Sequence, residues 1–183
     1  MYFNGSSYVL TSAGNMGWND LSELTLSCWM HPTASMTGWR GSWGIATDTT
    51  YVARGFAITD YGNEFRVTYT NGSTYVTLAS GKTLPQNEWH HCAATLKDIT
   101  VNMYFDGELV KTYTLNWGTA TLNTNARIEL GVDLPGSDEK FTGNYSDARL
   151  YATALTAEQI LDLYHTSASI DKEGNVYTRE VIE

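Results

Sequence analysis

Short stretches of alternating apolar and polar residues, rich in Thr, Tyr, Val and Trp, recur along this 183-residue chain with Gly, Asn and Asp between them. Strand signals spaced roughly eight to twelve residues apart leave an antiparallel sandwich or barrel as the natural fold, because each strand buries one face only. Residues 2–11 read as a first strand broken at Asn4-Gly5. Residues 23–31 alternate cleanly and stop at Pro32, and the Gly- and Trp-rich stretch 33–44 reads as a long loop. Strands follow near 44–47, 54–60, 64–70 and 74–79, with hairpin turns at Asp60-Tyr-Gly-Asn63 and at Asn71-Gly72. The second half repeats the pattern over 88–97, 100–106, 108–115, 126–132 and 145–151. Asp106-Gly107 forms one turn there, and the acidic run Asp133–Asp138 forms a loop.

One helix interrupts this all-β pattern. Thr156 precedes Ala-Glu-Gln159, a capping box in which a threonine side chain and a glutamine three residues on satisfy each other's backbone N–H groups. Ile160, Leu161 and Tyr164 form its expected buried stripe. The segment is short, so it reads as a lid on one sheet. Residues 1–165 then make one domain. Residues 166–183 are polar, carry a hairpin signal at Glu173-Gly-Asn175, and read as a tail or the start of a connection.

Composition narrows the function. A net charge of -9 without any run of Lys or Arg excludes a nucleic-acid partner, which needs a basic footprint. No window approaches the roughly eighteen apolar residues of a spanning helix, so membrane insertion is not expected. The opening Met-Tyr-Phe-Asn-Gly-Ser lacks the basic and apolar regions of a secretion signal. Cys28 and Cys92 have no metal spacing. Alternation turns both toward the core as free buried thiols, and a bridge between them requires their strands to be neighbours.

Candidate chemistry is sparse. His90 and His91 are adjacent in a strand and therefore point to opposite faces, which prevents them from sharing a metal or acting as a pair. Trp29 and Trp89 read as packing residues, with a place on the open sheet as the alternative. A glycoside hydrolase needs two carboxylates facing each other across a groove. Here the acids sit mostly in turns, and Glu64 and Glu129 are isolated. No nucleophile elbow, phosphate loop or zinc spacing is present, so the chain does not read as an enzyme. The most unusual local composition is Met36-Thr-Gly-Trp39-Arg40-Gly-Ser-Trp43. Exposed aromatic rings stack on sugars, and an arginine hydrogen-bonds hydroxyls or carboxylates, so Trp39, Arg40, Trp43 and Tyr61 are the candidate ligand-binding residues. Tyr51 and Trp117 sit near other loop ends. Alternatively, Trp39 and Trp43 plug the sandwich edge or an oligomer contact.

Five segments in order carry a resemblance. They are Tyr2-Phe-Asn-Gly-Ser-Ser-Tyr-Val9, Leu24-Thr-Leu-Ser-Cys-Trp29-Met-His-Pro32, Asn87-Glu-Trp-His-His-Cys-Ala-Ala-Thr95, Val101-Asn-Met-Tyr-Phe-Asp-Gly-Glu-Leu-Val110, and Gly143-Asn-Tyr-Ser-Asp-Ala-Arg-Leu-Tyr151 with its following helix. Together they resemble laminin-G-like, concanavalin-A-like jelly-roll domains over about residues 2–164. The resemblance implies a two-sheet antiparallel jelly roll with one short C-terminal helix. It also implies a structural calcium site tying the first strand to the last through Asn4 and Asp147 with backbone oxygens; the acidic loop Asp133–Asp138 is a second location on its residues alone, and solvated turn acids are the alternative to both. Ser146 stands where the family often has an acid, which departs from that metal pattern. Residues 170–183 resemble a segment at the ends of bacteriophage structural and fibre proteins. The resulting expectation is a non-catalytic module that binds cell-surface glycan or a receptor in a virion or extracellular setting. The alternatives are a structural domain contacting virion subunits or further copies of itself and, less favoured, a polysaccharide-acting enzyme or its ancillary module.

Overall fold

The alternation of Glu23–Pro32 is realised as a strand whose even-numbered residues Leu24, Leu26, Cys28 and Met30 are wholly buried in the core. The computed structural model describes residues 1–11, 22–35, 37–46, 54–70, 75–116, 127–132, 139–166, 168–170 and 176–178. Their strands are β1 (Tyr2–Asn4), β2 (Val9–Leu10), β3 (Glu23–Pro32), β4 (Trp39–Ala46), β5 (Arg54–Tyr61), β6 (Glu64–Thr70) and β7 (Tyr75–Thr83). After them come β8 (His90–Lys97), β9 (Thr100–Phe105), β10 (Glu108–Thr114), β11 (Arg127–Leu130) and β12 (Thr142–Tyr151). Helix α1 (Ala157–Thr166) and a separate hairpin, β13 (Ala168–Ile170) with β14 (Val176–Thr178), complete the order.

Two six-stranded antiparallel sheets face each other. The first runs β1-β12-β3-β8-β9-β10 and the second β2-β11-β4-β5-β6-β7. Side chains from both inner faces form one core, with Leu26, Met30 and Met103 from the first sheet meeting Ile45, Phe56, Ile58 and Val67 from the second. The predicted first strand is divided between the sheets, because the chain turns at Gly5 and places β1 beside β12 and β2 beside β11. Phe3 anchors the crossing, buried edge-to-face on Tyr145 at 5.6 Å.

Helix α1 seals the outer face of the first sheet. Thr156 N–H donates to Gln159 Oε1 at 2.9 Å and Gln159 N–H donates to Thr156 Oγ1 at 3.3 Å, the reciprocal cap read from the sequence. Ile160 is fully buried against Ala93 and Tyr104. Leu161 departs from the expected stripe and is 40% exposed. Tyr164 stacks on Trp29 at 5.4 Å, so Trp29 is a packing residue beneath the helix. The outer face of the second sheet carries no helix among the described residues.

Cys28 and Cys92 lie directly opposite each other in neighbouring strands, both fully buried and both free thiols. His90 and His91 do face apart. His90 stacks on Phe105 at 4.7 Å and hydrogen-bonds Asp106 at 2.9 Å, whereas His91 lies under the helix beside Trp29 and contacts Ser27 Oγ at 2.8 Å. Burial lowers the His91 pKa to about 4, the nearby Asp106 and Asp147 carboxylates opposing it. With Ser27 and His91 both closed to solvent, the pair is a core contact and no nucleophile. No described helix is long and apolar enough to cross a membrane. The Asn71-Gly72 turn, Tyr51, Trp117, the 133–138 loop and the Glu173–Asn175 turn lie outside the described residues.

Candidate functional site

Strand β4 begins at Trp39, inside the stretch expected to be loop, and one extra residue in it decides what each tryptophan does. Trp39 pairs with Tyr61 and Arg40 with Asp60, but Ser42 pairs with Thr59, so Gly41 is an inserted bulge residue. In a regular strand, residues four apart share a face; the bulge changes the parity between Trp39 and Trp43. Trp43 therefore turns into the core, 5% exposed, opposite Ile58, while Trp39 joins Tyr61 on the outer face. Glycine is required at the bulge. Its φ is +50°, and a Cβ there would approach the Phe141 Cβ to 2.5 Å.

The expected cluster of Trp39, Arg40, Trp43 and Tyr61 is thus corrected at two positions. Trp43 is a core residue. Arg40, the register partner of Asp60, falls on the inward-facing row and donates from Nη1 to the Trp39 carbonyl at 3.1 Å. Trp39 and Tyr61 do converge, with ring centroids 4.6 Å apart and planes inclined by 51°. Tyr61 is 40% exposed. Its position is set by a tight turn, Gly62 and Asn63 at φ +62° and +65°, closed by Asn63 N–H donating to Asp60 Oδ1 at 2.9 Å.

Two residues isolated in the sequence complete this corner. The Arg66 guanidinium lies 4.8 Å over the Tyr61 ring and is held by Glu64 Oε2, 2.8 Å from Nε and 2.6 Å from Nη2. Each contact alone contributes about 1 kcal/mol or less at such exposure. Together they fix one orientation for a stack of indole, phenol and guanidinium along the sheet edge. Nothing in the linear sequence signals Arg66, because its nearness to Tyr61 depends on the β5–β6 register.

The floor beyond this corner is built from small and hydroxylic side chains. Gly44, Ala57 and Thr68 form one cross-strand row, and Thr59 sits between that row and Tyr61. The Thr59 and Thr68 hydroxyls are buried without a hydrogen-bond partner.

Asp60, Glu64 and Glu129 do not form a hydrolytic pair. Asp60 is inward and Glu64 outward, on opposite sides of the sheet. Burial raises the Asp60 pKa to about 7, against the lowering effects of the Asn63 N–H and Arg40. Glu129 shares the outer face with Glu64, since Glu129 pairs with Gly44, Gly44 with Ala57, and Tyr61 with Glu64. That path spans four residues along β5 and three strand spacings, roughly 13 Å by 14 Å, or about 19 Å direct. Glycosidase carboxylates stand about 5–10 Å apart.

The implied calcium ligands are not brought together either. Asn4 pairs with Thr142, five residues and roughly 16 Å along β12 from Asp147. Asn4 Oδ1 closes a local turn by accepting from the Ser6 and Ser7 N–H groups at 3.0 and 3.1 Å. Asp147, in a bulge of β12 at φ +49°, accepts from Arg149 Nε at 2.5 Å. This donor set does not fit one ion. The first strand is tied to the last by ladder hydrogen bonds and by Phe3. No cluster of three or more His, Cys, Asp or Glu residues occurs among the described residues.

Comparison with known proteins gives the same architecture. Residues 3–161 match the family model described as the concanavalin A-like lectin/glucanases superfamily. The zebrafish (Danio rerio) adhesion G-protein coupled receptor V1 is 28% identical over 155 residues, covering 82% of this chain but 2% of the receptor. Among solved structures, domain 4 of the Geobacillus stearothermophilus arabinanase AbnA, in complex with arabinotriose, superposes with a TM-score of 0.70 at 22% identity. It covers 89% of this chain and 75% of that one. The binding domain of Paraclostridial Mosquitocidal Protein 1 gives 0.68 at 14% identity, over 89% and 42%. A SAP-like pentraxin from Limulus polyphemus gives 0.61 at 17%, over 88% and 83%.

Proposed function

Because the chain belongs to the concanavalin A-like lectin/glucanases superfamily, we propose that it is a non-catalytic recognition module that binds carbohydrate at the Trp39–Tyr61 corner of its second sheet. The observation that carries this reading is the Trp39–Tyr61–Arg66 stack, preorganised at the edge of the second sheet where Tyr61 is exposed. Aromatic faces take up the C–H side of a sugar ring, and the arginine supplies hydrogen bonds to its hydroxyls. The roughly 19 Å between the outer-face glutamates supports binding over hydrolysis. So do the solved structures of similar fold described as binding domains, and the arabinotriose complex of the AbnA domain.

The working place of such a module is outside a cell or on a particle. The likeness of residues 170–183 to the ends of bacteriophage structural proteins supports a virion. A second reading, a structural domain that contacts neighbouring virion subunits or further copies of itself, draws on the same tail and its β13–β14 hairpin.

A glycan array with and without EDTA, arabinotriose included, tests the first reading. The expected result is binding that survives chelation and is lost in Tyr61→Ala. Absence of any glycan binding, together with a stable oligomer that requires residues 166–183, would establish the structural reading instead.

A further inference from the structure

We propose that Glu64 sets the specificity of the Trp39–Tyr61–Arg66 corner, so that the corner takes an uncharged sugar and turns away a uronate. This inference rests on the carbohydrate-binding reading above and adds its chemical class. Glu64 and Arg66 share one side of β6, and both reach solvent, with side chains 24% and 25% exposed. A ligand at Tyr61 meets the pair directly. Arg66 lies over the Tyr61 ring, and Glu64 is the cross-strand partner of Tyr61.

The Glu64 carboxylate is held at both oxygens. Oε2 accepts from Arg66 Nε at 2.8 Å and stands 2.6 Å from Nη2, while Oε1 accepts from the Gly81 N–H at 3.1 Å. Bonds at both ends anchor the carboxylate in one position beside the ring stack. They also occupy the Nε–Nη2 edge of the guanidinium, an edge that grips a carboxylate through two parallel N–H···O bonds. The remaining N–H groups, on Nη1 and Nη2, are donors suited to the oxygens of sugar hydroxyls.

Charge decides against an acid. Arg66 and Glu64 cancel, so an incoming carboxylate gains no net attraction and stands beside a fixed negative charge. Asp60, near enough to Glu64 for the two carboxylates to repel, adds a second negative charge when ionised. The chain as a whole, at -9, opposes an anion at longer range. A ligand carboxylate across the guanidinium from Glu64 would stand about 6 Å from it, which weakens binding at least about threefold even at the dielectric constant of water. A neutral sugar pays none of this penalty and keeps the same stacking and the same donors.

Matched ligands that differ only in charge test this by calorimetric titration. The probes are arabinotriose beside its counterpart with one hydroxymethyl group oxidised to a carboxylate, and galacturonate oligomers beside their methyl esters. Each further glycan found on the array is paired in the same way. The wild-type protein is expected to bind the neutral member at least about threefold more tightly in dilute buffer, with the gap closing at high salt because the charges are exposed. Glu64→Gln should bring each pair to parity, chiefly by strengthening the acid. Arg66→Gln, which leaves Glu64 without its counter-charge, should widen the gap and weaken the neutral ligand. A merely structural ion pair would move both variants in the same direction. Equal or tighter binding of the acid by the wild type refutes the inference while leaving the sugar platform standing. So does a gap that Glu64→Gln leaves unchanged. If no member of any pair binds and no glycan on the array does, the carbohydrate reading falls with it.

Discussion

Asp60 is the residue at which stability and the candidate site meet, and replacing it with asparagine gives the sharpest test of the physical picture. Burial raises its pKa from 3.8 to about 7. Between those values the folded protein holds a proton that the unfolded chain has released, so this group's contribution to stability falls as pH rises from about 4 to about 7. At 1.36 kcal/mol per pH unit, the whole effect is about 4 kcal/mol. His91 acts with the opposite sign. Its folded pKa is lowered from 6.5 to about 4, so its contribution is complete above 6.5 and is lost as pH falls toward 4. The two slopes nearly cancel between pH 4 and 6.5, and the wild-type profile should be flat there. In Asp60→Asn the side-chain amide keeps the acceptor oxygen for the Asn63 N–H and does not titrate. Urea denaturation of both proteins from pH 4 to 8 should show Asp60→Asn gaining on the wild type by about 1.4 kcal/mol per pH unit up to pH 7, then levelling. The variant alone should lose stability below pH 6.5, once the His91 slope is uncovered. A stability difference independent of pH would refute the buried, protonatable Asp60.

Other outcomes follow from the same contacts. Trp43→Ala should cost about 3–5 kcal/mol by emptying core volume, whereas Trp39→Ala should cost under about 1 kcal/mol and abolish glycan binding; thermal melts paired with titration separate them. Gly41→Ala should destabilise the fold by about 1–3 kcal/mol through the Phe141 clash and the positive φ, and should weaken binding by disturbing the Trp39 side of the stack. Thr156→Ala should cost about 1 kcal/mol through the lost helix cap, with ligand affinity unchanged, because α1 covers the opposite sheet.

Local pattern made much of the architecture legible. Period-two alternation located most of the strands, the Thr156–Gln159 box located the helix start, and the adjacency of His90 and His91 forced them to opposite faces. These are statements about neighbours in the chain, where backbone geometry alone decides. The Trp39–Trp43 segment resists such a reading for a physical reason. Its glycines look like loop, and a one-residue bulge that reverses side-chain parity leaves no mark in composition. Which sheet the helix covers, the meeting of Arg66 with Tyr61, and the separation of Glu64 from Glu129 depend on strand order and register. Those are fixed by how the core packs across residues distant in the chain, so only the tertiary structure decided them.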